Sequence, residues 1–139
     1  MADLTITPTS VTPVDNLRWF GVRGQQVKAE VAIDAGELCT INPSTSGAEL
    51  LNITVEPTSI YLAMNVAAIG QVVTLLEFGI VNFGALLAQG AFYYASVNPG
   101  KIADTLPVGG GTNYSIQAGY AKDTGDFIFQ PLLTGILIP

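Results

Sequence analysis

Few residues in this chain have side chains that could carry out chemistry. Histidine is absent from the 139 residues, which removes Ser-His-Asp and Cys-His nucleophilic sites and every imidazole metal ligand. Carboxylate pairs could still act as general acid and base, as in a glycosidase, and 11 acids are present. Most stand in turn-like or solvent-face positions, among them Asp34, Glu37, Asp123 and Asp126. Glu77 lies inside an apolar stretch, where burial would raise its pKa. An outward-facing place on a half-buried strand accounts for it more simply. "DTGD" at 123–126 holds two carboxylates, short of the roughly six to eight oxygens that Ca²⁺ takes. An aspartic protease would need a second such aspartate, and no second "DTG" or "DSG" is present. "GGGTN" at 109–113 reads as a plain loop, because no Lys-Ser/Thr pair and no βαβ unit follow it. Cys39, the single cysteine, has no intrachain disulfide partner and reads as a small apolar residue. The expectation is a non-enzyme with no cofactor and no metal.

Charge points the same way. The net charge is −6, and only 12% of residues are charged, against roughly 25% in ordinary soluble domains. The five basic residues, Arg18, Arg23, Lys28, Lys101 and Lys122, form no stripe of the kind that phosphate contacts require, so no nucleic acid is expected as a partner. Three of them fall between positions 18 and 28, so the N-terminal part is expected either to face an acidic partner surface or simply to carry a few solvated cations. A chain this apolar has too little charge to cover a monomer, and self-association is expected.

No membrane partner is expected either. Residues 78–100 carry no charge, yet Gly79, Gly84, Gly90, Pro99 and Gly100 interrupt them and no basic cluster flanks them. The opening "MADLTITPTS" lacks the basic and apolar regions of a signal peptide.

The elements that must position these residues are short strands. Period-two alternation runs through "DLTIT", "VKAEVAID", "NITVE" and "YSIQAGYA", the pattern of half-buried antiparallel strands. On this reading Val27, Ala29, Val31 and Ile33 share one face, and Ile53 and Val55 share another. Turns fall between them at "DAGE", "NPSTSG", "EPTS", "NPGK", "VGGGTN" and "KDTGD". "GQVVTLLEFG" reads as strand, or as one short helix capping a barrel. "LLAQGAFYYAS" is too evenly apolar for a one-sided strand. It is expected to be covered on both faces, inside the domain or under a neighbouring subunit, with a bulge or sharp bend at Gly90. "FIFQPLLTGILIP" is expected to be a strand buried in the domain or in an oligomer interface. The fold class is all-β: a compact antiparallel β-barrel or β-sandwich of short strands with an extended N-terminal arm. The arm comprises residues 1–24, and 25–139 form a single β domain.

The arm carries the expected binding residues. "ITPTSVTPVDN" is rich in proline and threonine and leads into "LRWFGVRG", which holds the only tryptophan. Leu4, Ile6 and Thr7 are expected to add as a strand to a partner, and Arg18, Trp19, Phe20 and Arg23 to anchor it. The simpler alternative is a first strand folded back on its own sheet, with Trp19 in the core.

The ordered set "MADLTIT", "IDAGELCTIN", "GQVVTLLEFGIVNFGALLAQGAFYYASVNPGKIAD" and "IQAGYAKDTGDFIFQPL" resembles the capsid decoration, or cement, proteins of tailed bacteriophages. The matching positions are Gly36, Gly70, Gln71, Gly79, Gly84, Gly90, Tyr93, Tyr94, Gly100, Gly119 and Ala121. They span most of residues 26–131, with the first seven residues added. "RWFGVRG" and the long apolar tail "PLLTGILIP" depart from the family pattern. The resemblance implies a structural protein on the outer surface of the virion capsid, made in the host cytoplasm. Its partners would be the major capsid protein and copies of itself, as a homotrimer in first place and a dimer in second. The alternative class is a carbohydrate- or receptor-binding β-module of a phage head or tail fibre, which would display Tyr93, Tyr94, Tyr114 and Tyr120 as an aromatic platform.

Overall fold

The computed structural model describes residues 3–14, 27–107 and 111–139 in full, and residues 18–20 as backbone. All strand pairings between its named strands are antiparallel, and the strands form a curled sheet shaped as a half-barrel. The strands are β1 (Thr12–Pro13), β2 (Arg18–Phe20), β3 (Leu38–Ile41), β4 (Ala48–Leu50), β5 (Tyr61–Ala63), β6 (Leu75–Asn82), β7 (Phe92–Ala95), β8 (Ile102–Ala103), β9 (Tyr114–Ala121) and β10 (Asp126–Leu137). Their order is β4-β3-β5-β6-β10-β9-β7-β8, with β1 and β2 also on β6.

β6 is the hinge of this arrangement because it changes partners along its length. Leu75 and Leu76 face β5 and β2, whereas Gly79–Asn82 face β10 and Val81–Asn82 face β1. The all-β expectation therefore holds, and "LLEFGIVN" is strand and not helix.

Two apolar cores lie on opposite faces of β3, β5 and the start of β6. Leu38, Leu62 and Leu76 point into the larger core, with Phe83, Phe127 and Phe129. Their chain neighbours Cys39, Ala63 and Leu75 point into the smaller one, with Val27, Ile33 and Val73. This is the alternation of a pleated strand, and all six of these side chains are 0% exposed. Within the chain, "LC", "LA" and "LL" are covered on both faces, whereas "LLAQGAFYYAS" is not covered on both faces by its own domain. That stretch is a loop up to Ala91 followed by β7, and it leaves Leu86 and Phe92 exposed. Gly90 makes the sharp bend, at φ +79.

Two other alternating segments are not strands. In "NITVE" the Asn52 side chain accepts the Thr54 N–H at 3.0 Å, and the Val55 N–H reaches the Asn52 carbonyl. This local turn takes the hydrogen bonds a ladder would need and leaves Val55 exposed. "VKAEVAID" makes only isolated bridges, to Val72, Ala48 and Ala67 in turn. Its backbone bonds go to different neighbours, no single ladder forms, and Val31 faces outward while Val27, Ala29 and Ile33 are buried.

"YSIQAGYA" is β9, but its inward face switches midway. Ile116 and Ala118 are buried, and after Gly119 the next buried side chain is Ala121. The register against β7 and β10 shifts at the same place. A Cβ on Gly119 would run into the Ile128 carbonyl oxygen, so only glycine permits so close an approach.

Candidate binding surface

Several of the groups that sequence reading examined for chemistry hold local backbone structure or sit in the core. Cys39 is buried beside Glu37; burial first, and the nearby carboxylate second, push its thiol pKa far up. A thiol held protonated is a poor nucleophile. Glu37 accepts the Asp34 N–H at 2.7 Å and pairs with Lys101 at 3.0 Å. Asp123 accepts the N–H groups of Gly125 and Asp126, and these bonds hold its carboxyl below the usual aspartate range. Asp126 in turn accepts the Asn82 side-chain amide at 2.9 Å. "DTGD" is therefore the turn that joins β9 to β10. Among the described residues no group of three or more His, Cys, Asp or Glu could hold a metal ion.

Glu77 is half-buried on β6, where an open groove of about 650 Å³ lies between the start of β5 and the middle of β10. Tyr61, Phe78, Ile80, Gln130 and Pro131 also line it. Glu77 is the only carboxylate among the described lining residues, so the groove lacks the second acid of a general acid/base pair.

The N-terminal segment lies along its own domain at two places. At the first, Asp3 bridges to Ala103 and the Leu4 N–H donates to the Ile102 carbonyl at 2.8 Å. The Asp3 carboxylate accepts Ser96 Oγ at 2.6 Å and Asn98 Nδ2 at 2.7 Å. Leu4 and Ile6 pack against the larger core, while Thr5 and Thr7 face solvent. Ile6 fits against Gly36, whose φ of +92 and missing Cβ leave room for it. A 3₁₀ turn at Pro8–Ser10 then redirects the chain, and Val11 is buried.

At the second place, Thr12 and Pro13 pair with Asn82 and Val81, and Arg18, Trp19 and Phe20 pair with Phe78, Leu76 and Leu75. The structure thus brings Arg18, Trp19 and Phe20 onto β6, and puts Leu4 and Ile6 beside β8. Arg23 lies outside the described residues. Tyr93 is buried, its ring edge-on to Phe127 at 5.9 Å and its hydroxyl accepting the Ala88 N–H. Tyr94, Tyr114 and Tyr120 are half-buried.

The C-terminal part of β10, expected from the sequence to be buried in the domain or in an oligomer interface, carries the densest run of exposed apolar side chains among the described residues. Of the fourteen large apolar side chains exposed among the described residues, four lie in the six positions 132–137 of β10. Three more, Val66, Ile69 and Val72, lie on the loop between β5 and β6. Of the two places expected for "FIFQPLLTGILIP", the domain takes Phe127, Phe129 and Ile138, and Leu132, Leu133, Ile136 and Leu137 are left exposed in the single chain. No helix among the described residues is long and apolar enough to cross a membrane. Compared with family models and with curated proteins, the chain matches none.

Proposed function

We propose that this protein is a structural phage capsid cement protein, which binds the outer shell and stabilises it by bridging major capsid protein subunits. The observation that carries the reading is an antiparallel domain with apolar side chains left exposed at several places on a charge-poor chain. Such surfaces mark sites of association. A protein that binds only the expanded shell shifts the shell's equilibrium toward that state without any chemistry. The resemblance in "GQVVTLLEFGIVNFGALLAQGAFYYASVNPGKIAD" supplies the identity of the partner. In this reading Thr7, Arg18, Trp19, Phe20 and Arg23 are the residues that bind an acidic shell surface.

Removing the first 20 residues is a poor test, because Leu4, Ile6 and Val11 belong to the core. The better test is co-sedimentation of the folded protein with expanded shells, comparing wild type with the double variant Arg18→Glu, Arg23→Glu. Wild type is expected to sediment with shells and the variant to remain in solution. Binding of wild type is expected to weaken as salt rises, since exposed ion pairs are screened. Wild type that ignores shells overturns the reading.

A second reading, a carbohydrate- or receptor-binding module, rests on Phe92. It is 51% exposed and its ring lies 6.0 Å from that of Tyr120. Saturable glycan binding that is lost in Phe92→Ala would favour it.

A further inference from the structure

The loop between β5 and β6 turns aliphatic side chains outward, and its own backbone holds them there. Ala67 exchanges both backbone hydrogen bonds with Ile33, at 2.8 and 2.9 Å. Ala29 exchanges two more with Gly70 and Gln71, each at 2.8 Å. Side chains fix the bends between these points. Gln71 accepts the Ala68 N–H, and Asn65 accepts the Thr74 N–H while donating to the Val66 and Val72 carbonyls. Ala67 and Val73 anchor the loop in the smaller core. From this ordered frame Val66 stands 58% exposed, Val72 45% and Ile69 73%, the highest value of any large apolar side chain among the described residues. Apolar groups held rigidly in water mark a contact surface, and order present before binding lowers the entropy cost of docking.

Two features of the surroundings select the partner. The first is charge. No charged residue occurs from 57 to 76, and the charge that register sets against the loop is Lys28, exposed opposite Val72. Of the acids on the crossing segment, Glu30 turns its carboxylate to Thr45, and Asp34 lies at the other end, beyond Ile33. The second feature is position. Phe20 of β2 pairs with Leu75, and Arg18 pairs with Phe78, itself 44% exposed. Val72 precedes Leu75 by three residues, at most about 11 Å of chain. The loop therefore continues the Arg18–Phe20 stretch that the cement reading gives to the shell. It adds an apolar centre beside a basic rim, the anatomy of a protein–protein contact.

We propose that the β5–β6 loop docks this protein on its shell: Val66, Ile69 and Val72 seat in an apolar socket of a capsid protein subunit whose acidic rim faces Lys28. The identity of that partner rests on the cement reading. A second copy fits the loop less well, because a two-fold contact there sets Lys28 against Lys28. A membrane fits less well too. The loop has no aromatic side chain for the interface, and a net charge of −6 repels anionic lipid.

The test is co-sedimentation with expanded shells of wild type, of the variant Val66→Ser, Ile69→Ser, and of Val55→Ser. The last removes a comparably exposed aliphatic side chain outside the loop. Light scattering gives the mass of each protein, and circular dichroism its fold. The loop variant is expected to keep its fold and mass and to bind shells at least about 30-fold more weakly, while Val55→Ser binds as wild type does. A folded loop variant that binds shells as wild type does overturns the proposal and leaves the cement reading standing. Equal weakening in Val55→Ser also overturns it. So does a loop variant of lower mass than wild type, since the loop then joins copies. Wild type that floats with vesicles of phosphatidylcholine and phosphatidylglycerol, where the loop variant does not, overturns it as well. If the loop variant misfolds, hydrogen exchange of wild type decides. Amides 65–73 are expected to gain protection on shells, and unchanged exchange there overturns the proposal. Wild type that ignores shells overturns the cement reading itself, and this partner with it.

Discussion

The two halves of β10 have similar composition and opposite fates. Phe127 and Phe129 are 0% exposed, with β6 on one side and β9 on the other, and the Phe127 ring stacks on Phe83 at 5.3 Å. A few residues later Leu132 and Ile136 stand mostly in water on the same strand. What separates the halves is the partner on the β6 side, present for Asp126–Phe129 and, among the described strands, absent beyond it. Hydrophobicity says that a strand needs cover; it does not say whether the cover belongs to the same chain.

That contrast can be tested by substitution. Phe127→Ala should cost about 3–5 kcal/mol of folding stability, since it empties a packed ring site; chemical denaturation measures it. Gly119→Ala should cost about 1–3 kcal/mol by forcing β9 away from the Ile128 carbonyl, and should loosen the joint at which β10 leaves the core. A cost near zero would show that the two strands separate easily there. Ile136→Ser should change the stability of the isolated chain by no more than about 0.5 kcal/mol. A large loss of monomer stability would put Ile136 in the core and erase the contrast.

The smallest effect is expected at the hairpin turn. The Asp123 carboxyl is held below its usual range by two backbone N–H groups, so its folded pKa lies below its unfolded one. Its contribution is present above the ordinary aspartate range and fades as pH falls through the folded value. Asp123→Ala should flatten that part of an acid denaturation curve slightly, because the group is fully exposed. An unchanged curve would remove Asp123 from the forces that set the β9–β10 register.

Much of the fold was legible because its signals are local. "YSIQAGYA" alternates and is β9. "NPGK" turns at Gly100, whose φ of +78 glycine adopts freely. "NITVE" alternates equally well and is not a strand, because Asn52 offers a nearer hydrogen bond than any neighbouring strand does. For the expected binding residues, sequence supplied the types but not the places. Leu4 and Ile6 alternate as a strand that could add to a partner, yet in this fold their apolar side lies on the protein's own core, and Asp3 tethers the segment to Ser96 and Asn98.

The sequence by itself determined the class of structure and, through the absence of histidine, which catalytic side chains the chain can offer. Short apolar alternations between glycine and proline turns can bury only one face each, so they must pair as a sheet, and a chain without histidine has few catalytic options. Only the tertiary structure decided which apolar runs are covered. "LC", "LA" and "LL" are wrapped on both faces because the segments around Val27 and Val73 happen to cross behind them. "LLTGIL" is left without β6 because β6 pairs with β10 only over Gly79–Asn82 and turns to β2 and β5 beyond it. Coverage depends on which distant segments meet, and no local pattern encodes that.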